Sequence, residues 1–328
     1  MSKEETTPGR MLAAIWLGPS QMEMREVEVP RPSAEEVLVK VVACGVCHTD
    51  VHWYLGAASH TSRQRPQPRI LGHEVAGIVQ EVGGKVEGLE AGDRVALAGG
   101  WGGYAQYVTA SAKNVWKMPA GIGFDEAALV DGLACCVHGI KIAKPRPGEK
   151  VAVLGPGPAG LCYLQLARLC GASWVALTGT KEKRLELGRR LGADETINVR
   201  QEDTREKIKE LTGGKGMDLV IEASGNPAAA RDAMHLARDG GRVLIYGVYG
   251  KPGEIDLDAI MFKQLVVLGS VYGHDCYLEA MESLVEKKVN VLAYLTHRFP
   301  LERTPEAFRL AASKPEDFIK AVIEVARD

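Results

Sequence analysis

The chain has little of what would send it into a membrane, onto nucleic acid or out of the cell. The apolar stretch near its start, Met11 to Leu17, is too short for a secretory or membrane-spanning segment, and the residues ahead of it are polar. No charge dominates: Lys plus Arg number 40 and Asp plus Glu 42, for a formal net charge of −2. No basic stripe or aromatic-and-basic interleaving offers a nucleic-acid surface. Cysteine is sparse and odd in number, with seven thiols at positions 44, 47, 135, 136, 162, 170 and 276. That is not the dense, even framework of a disulfide-stapled secreted domain. Internal repeats and low-complexity tracts are missing as well. These absences point to a cytoplasmic protein with reduced thiols, no membrane or nucleic-acid partner, and at least one thiol free to bind metal.

What is present is 328 residues, 46% apolar and 25% charged, the size and composition of about two folded domains. Up to about residue 130 the chain is rich in short β-like runs broken by Gly and Pro, such as Val37–Val42, Val75–Val79 and Asp93–Leu97. Such spacing predicts an irregular β-rich domain. After the Pro-Arg-Pro-Gly-Glu-Lys segment at 145–150 the pattern changes. Six apolar runs, beginning near Val151, Trp174, Thr196, Asp218, Val243 and Leu265, alternate with helical stretches. One of these is Glu182–Leu191, which carries Leu185, Leu187 and Leu191 and stops at Gly192. Strands alternating with helices predict βαβ units and a parallel sheet. The tail from about 273, with a helix over Tyr277–Glu286, is long enough to return to the first domain.

The run Val151-Ala-Val-Leu-Gly155-Pro-Gly157-Pro-Ala159-Gly160 has the G-x-G-x-x-G spacing between a strand and the helical stretch Leu161–Leu169. Gly155 suits a tight turn, Gly157 lets backbone approach a pyrophosphate, and Ala159 and Gly160 open the helix whose N-terminus favours the phosphate charge. The second strand ends at Gly179 instead of the carboxylate that would bind the ribose 2′-hydroxyl of NAD. Gly179 leaves room for a 2′-phosphate, Thr180 can hydrogen-bond it and Lys181 can offset its charge. NADP is therefore favoured over NAD, although Glu182 could swing back toward a ribose.

The block Cys44-Gly-Val-Cys47-His48-Thr49-Asp50-Val-His52, followed by Gly72-His73-Glu74, gathers the side chains that bind Zn²⁺. Cys44-x-x-Cys47 also reads as a redox pair, but such pairs normally open a helix near a βαβ unit. Together with Gly92-Asp93-Arg94-Val95, the glycine loop and Gly240-Gly241-Arg242-Val243, these blocks resemble the zinc-containing medium-chain alcohol dehydrogenases over nearly the whole chain. The resemblance implies a catalytic domain of chaperonin-10-like fold (1–136 and 273–328), a Rossmann domain (137–272), and an active site between them. It implies reversible hydride transfer between an alcohol or polyol and its aldehyde or ketone, with Cys47 and His73 as zinc ligands and Glu74 beside the metal. Asp50 would orient His73, Thr49 and His52 would relay the proton, and His48 would lie near the pyrophosphate. Asp131, where relatives place a Cys or Glu ligand, is favoured as the third zinc ligand over the neighbouring thiols Cys135 and Cys136. Cys135 matches a position against the nicotinamide. The region of Trp101 and Tyr104 has no four-cysteine structural-zinc lobe, so one zinc per chain is expected. Association into a homodimer or homotetramer through the sheet edge at Leu265–Gly269 is implied too. Trp53, Tyr54, Trp101 and Tyr104 are candidates for a substrate pocket or for core. The rival readings are a zinc-free quinone or enone reductase of the same superfamily and a non-catalytic nucleotide-binding protein.

Overall fold

The structure is a computed structural model and describes residues 7–56, 68–250 and 252–326. Among these, residues 7–56, 68–131 and 295–326 form one compact unit, and 132–250 with 252–294 form the other.

The first unit begins with β1 (Arg10–Gly18), β2 (Gln21–Glu28) and β3 (Glu36–Gly45), then helix α1 (His48–Tyr54). It continues through β4 (Arg69–Ile70), β5 (Glu74–Val82), β6 (Arg94–Leu97), β7 (Tyr107–Ser111), β8 (Val115–Lys117) and α2 (Phe124–Ala128). β3 reads Val-Leu-Val and then Val-Val-Ala-Cys, and these residues are buried on both faces. It is accordingly a central strand, paired with β5 on one side. Cys44 is one of them.

The second unit takes in most of α3 (Val130–Ala143) and then β9 (Lys150–Leu154), α4 (Pro158–Leu169), β10 (Trp174–Gly179) and α5 (Glu182–Arg190). After them come β11 (Glu195–Asn198), α6 (Thr204–Leu211), β12 (Met217–Glu222), α7 (Pro227–Leu236), β13 (Ala237–Ile245), α8 (Leu257–Phe262), β14 (Val266–Gly269) and α9 (Tyr277–Val285). The six expected strands are β9 to β14, paired in the order β11-β10-β9-β12-β13-β14 and parallel throughout. This doubly wound order reverses direction between β9 and β12, where such sheets hold a dinucleotide. α5 buries Leu185 and Leu187 and stops before Gly192, at φ +105°.

The tail rejoins the first unit at Leu295, while α9 stays with the second. β15 (Leu295–Pro300), α10 (Thr304–Ser313) and β16 (Lys320–Glu324) complete the fold. β16 extends the first unit's large sheet beside β3, and Phe299, Phe308 and Ile323 enter its core. Among the described residues no helix is long and apolar enough to cross a membrane.

Candidate active site

β3 and β5 run antiparallel with Gly45 opposite Glu74, and β16 lies on the other side of β3 with Val322 opposite Gly45. Three strand ends thus meet where the chain leaves β3 for α1. Cys47 is the N-cap of that helix, and His73 and Glu74 lead into β5. Gly72 precedes them at φ +98°, where a Cβ would stand 2.9 Å from Tyr104 N and 3.0 Å from Cys44 Sγ, so only glycine fits. One ligand atom each from Cys47, His73 and Glu74 lies within 4.8 Å of the others. Zinc bonds of about 2.0–2.3 Å place neighbouring ligand atoms roughly 3.5 Å apart, so a small contraction closes the shell.

Asp50 stands behind His73. Its carboxylate is wholly buried, lies 3.2 Å from His73 Nδ1, and accepts the Tyr104 hydroxyl at 2.8 Å and the Gly72 N–H at 3.3 Å. With Nδ1 engaged, Nε2 is the ring nitrogen left for a metal. Burial by itself opposes a charged His73, but the Asp50 carboxylate and the Cys47 sulfur outweigh it and hold the imidazole well above its usual range.

Glu74 has a partner that nothing in the sequence ties to the site. Lys320, buried at the start of β16, donates to Glu74 Oε1 at 2.8 Å and lies 2.6 Å from Oε2. Burial opposes its charge, but Glu74 foremost and Cys47 after it more than offset this and raise its pKa. The only sequence signal is a lone lysine ahead of the apolar run Ala321-Val322-Ile323. Glu74 Oε2 is buried and accepts no hydrogen bond despite the near ammonium. A thiol, an imidazole and a carboxylate within 4.8 Å of one another are a donor set that zinc takes, so the residues fit the metal.

Asp131, half-buried in the first turn of α3, does not join this set, and neither do Cys135 and Cys136. The Cys136 thiol is buried 3.8 Å from the Ala159 carbonyl, and burial raises its pKa strongly, so it is inert.

α1 buries Asp50, Val51 and Tyr54 and turns the opposite side outward, with Thr49 exposed and His52 half-buried. The two stand three residues apart and share a helix face. The His52 ring is 5.0 Å from that of exposed His48, and burial foremost, then the Lys314 charge, lowers its pKa, so it is neutral near pH 7. The four aromatic candidates separate: Tyr54 and Tyr104 are core, whereas Trp53 and Trp101 are partly buried. Trp101 sits 5.0 Å from the His73 ring and 6.1 Å from Trp53.

In the second unit, Gly155 turns the chain at φ +107°, and a Cβ there would stand 2.7 Å from the Ser224 Cβ. Gly160 packs against the Gly155 carbonyl with no space for a side chain, while nothing lies within 4 Å of where a Gly157 Cβ would be. Pro158 occupies the first position of α4, which Ala159 and Gly160 continue. An open backbone at a helix N-terminus fits a pyrophosphate. Gly179 has a different reason from the one its sequence suggests. It is buried, and the ring of Pro156 fills the space a side chain would take. Thr180 is exposed and half-buried Lys181 caps α5.

Two family models match the chain: "Alcohol dehydrogenase GroES-like domain" over residues 33–120 and "Zinc-binding dehydrogenase" over residues 158–287. The sorbitol dehydrogenase of Bacillus subtilis is 29% identical over 97% of this chain and 98% of its own length. The L-threonine 3-dehydrogenase of Pyrococcus abyssi is 34% identical over 88% and 91%. A Sinorhizobium meliloti 1021 structure bound to NADP superposes with a TM-score of 0.88 at 28% identity, covering 97% of this chain and all of the other. With the cysteine–histidine–glutamate cluster and the glycine loop both in place, the chain belongs to the zinc-containing medium-chain alcohol dehydrogenases, oxidoreductases that act on CH–OH groups.

Proposed function

We propose that this protein is a cytoplasmic dehydrogenase that binds one catalytic zinc per chain, prefers NADP to NAD, and interconverts an alcohol or polyol with its carbonyl form. The observation that carries the reading is the buried trio Cys47, His73 and Glu74, with Asp50 backing His73 and with Thr49 and His52 on the adjoining helix. These residues would hold the metal, and Asp131, which stands outside the trio, would have to move toward it to supply a further oxygen. When bound, zinc supplies Lewis acidity toward the substrate oxygen and the dinucleotide supplies the hydride-accepting ring. Thr49 Oγ1 would receive the substrate's hydroxyl proton, and the neutral His52 ring would carry a proton out to solvent. His48 would meet the pyrophosphate and Cys135 the nicotinamide, as the family resemblance implies.

The cofactor preference rests on the tip of β10. Glu182, the one carboxylate that could reach back to a ribose, accepts Asn198 Nδ2 at 3.2 Å and pairs with Arg189. Thr180 and Lys181, next along the chain after the strand tip, would meet a 2′-phosphate there. One charge-assisted hydrogen bond contributes about 1.5–3 kcal/mol, roughly ten- to a hundredfold in affinity. Elemental analysis of the purified protein and a panel of alcohols and polyols run with each dinucleotide test the reading together. The expected result is close to one zinc per chain and a kcat/KM at least about tenfold higher with NADP. Zinc-free protein that reduces enones would overturn the metal reading, and a preference for NAD would overturn the phosphate pocket.

The same reading includes association with a second copy along β14. This strand is the sheet's edge, its Val266 and Val267 are exposed, and Leu257 and Phe262 of α8 are 73% and 76% exposed. A flat apolar edge without charges is a template for pairing.

A further inference from the structure

At the carboxyl end of β12 stands a second polar cluster, made of residues that none of the roles above uses. Glu222, wholly buried, ends that strand beside Leu154 of β9 and Ile245 of β13. Its carboxylate accepts the backbone N–H of Ser224 at 2.8 Å and of Gly225 at 3.3 Å, together with the hydroxyls of Ser224 and Tyr249. No cation is paired with it among the described residues, so four donors carry its charge. Burial first, then the bond to Glu222 and its charge, raise the pKa of the Tyr249 phenol, which therefore stays a donor at every working pH.

Each donor comes from a segment that walls the crevice. Ser224 is the residue against which Gly155 of the phosphate loop turns, with 2.7–2.9 Å left for any Cβ there. Gly225 lies so close to Val248 that a Cβ would stand 2.6 Å from its carbonyl oxygen. Tyr249 ties down the chain that leaves β13. The order in which the chain adds strands reverses between β9 and β12, and the 2′-position of the adenosine ribose belongs at the β10 tip. The nicotinamide half must therefore lie on the other side, over β12 and β13, where this cluster sits.

We propose that Tyr249 and Glu222 form a clasp that fixes the 246–249 segment beneath the nicotinamide half of the dinucleotide, making Tyr249 a positioning residue for hydride transfer. The proposal rests on the dinucleotide reading of the second unit and is indifferent to whether NAD or NADP is preferred.

The test is Tyr249→Phe in the full-length zinc-loaded protein. Kd is measured by fluorescence for whichever reduced dinucleotide the unmodified protein binds better, and for the matching nicotinamide-free fragment, ADP-ribose or its 2′-phosphate. Losing a donor to a buried carboxylate is expected to weaken the whole dinucleotide about five- to tenfold. The fragment should bind within about twofold of the unmodified protein, and KM for the alcohol should not move. Equal weakening of dinucleotide and fragment would show that Tyr249 only supports the fold, and unchanged binding of both would show that the clasp positions nothing. Either result overturns the proposal. A protein that binds neither dinucleotide nor fragment before mutation would instead sink the dinucleotide reading itself.

Discussion

His52 and His73 are two imidazoles in one small unit, and their surroundings push them in opposite directions. His73 faces Asp50 and Cys47, which favour its proton despite burial; His52 is half-buried near Lys314, which disfavours it. The sign matters for the chemistry. A depressed pKa leaves His52 neutral at and somewhat below neutral pH, able to receive a proton when the alcohol gives one up. His52→Gln is accordingly expected to keep its zinc but to slow alcohol oxidation by on the order of a hundredfold. The loss should be greatest at the acid end of the profile, where solvent offers little base. A pH–rate profile of the variant parallel to that of the parent would remove His52 from the relay. Gly179 shows how a residue can be conspicuous in sequence for one reason and fixed in structure by another. Its missing carboxylate speaks to cofactor choice, but its missing Cβ belongs to Pro156. An aspartate placed there to recruit NAD would first have to displace the phosphate loop.

At the scale of elements, what the sequence discloses depends on how local the cause is. The six parallel strands, the helix that ends at Gly192 and the glycine turn each rest on a few consecutive residues, and all are readable. The cluster of Cys47, Asp50 and His73 is readable because its members lie in two short blocks. Lys320 is not, because it meets Glu74 across 246 residues and only the pairing of β16 with β3 brings it there. The clasp of Tyr249 on Glu222 is hidden for the same reason, as is the approach of Trp101 to His73. Tyr104 is a case where the sequence left core and pocket open, and the answer is core with a polar task. Its hydroxyl lies 2.8 Å from Asp50 Oδ2 and 2.9 Å from the Gly45 carbonyl, joining α1 to the end of β3. Tyr104→Phe keeps the packing against Phe308 but leaves Asp50 one donor short. Partners behind a ligand histidine are worth about ten- to a hundredfold in metal affinity. Zinc competition against a chelator should show a loss of that order with the fold retained, and an unchanged zinc Kd would mean that Asp50 orients His73 without help from the phenol.

For the molecule as a whole, the exposed edge of the six-stranded sheet sets the remaining question, that of assembly. β14 hydrogen-bonds to β13 on one side, and its other edge carries Val266 and Val267 into solvent. Natural sheets usually blunt such an edge with charge, proline or a bulge. Here the strand reads Val-Val-Leu-Gly, and α8 adds Leu257, Met261 and Phe262 to the same unit's exposed apolar surface. A second copy of this edge would satisfy the backbone donors and acceptors and cover the apolar residues at once, because a two-fold pairing presents the same patch from both chains. Val267→Asp places a carboxylate in the middle of that pairing. Burying it without a partner costs about 3 kcal/mol or more, roughly a hundredfold in association. Within a single chain the same side chain is exposed, so thermal stability at low protein concentration should barely change. Sedimentation velocity at micromolar concentration is expected to show a dimer or tetramer for the unmodified chain and a smaller species for the variant, with zinc content unaltered. An unmodified chain that sediments as a monomer, or a variant that assembles as before, would place the contact elsewhere and leave the bare edge of β14 without an explanation in assembly.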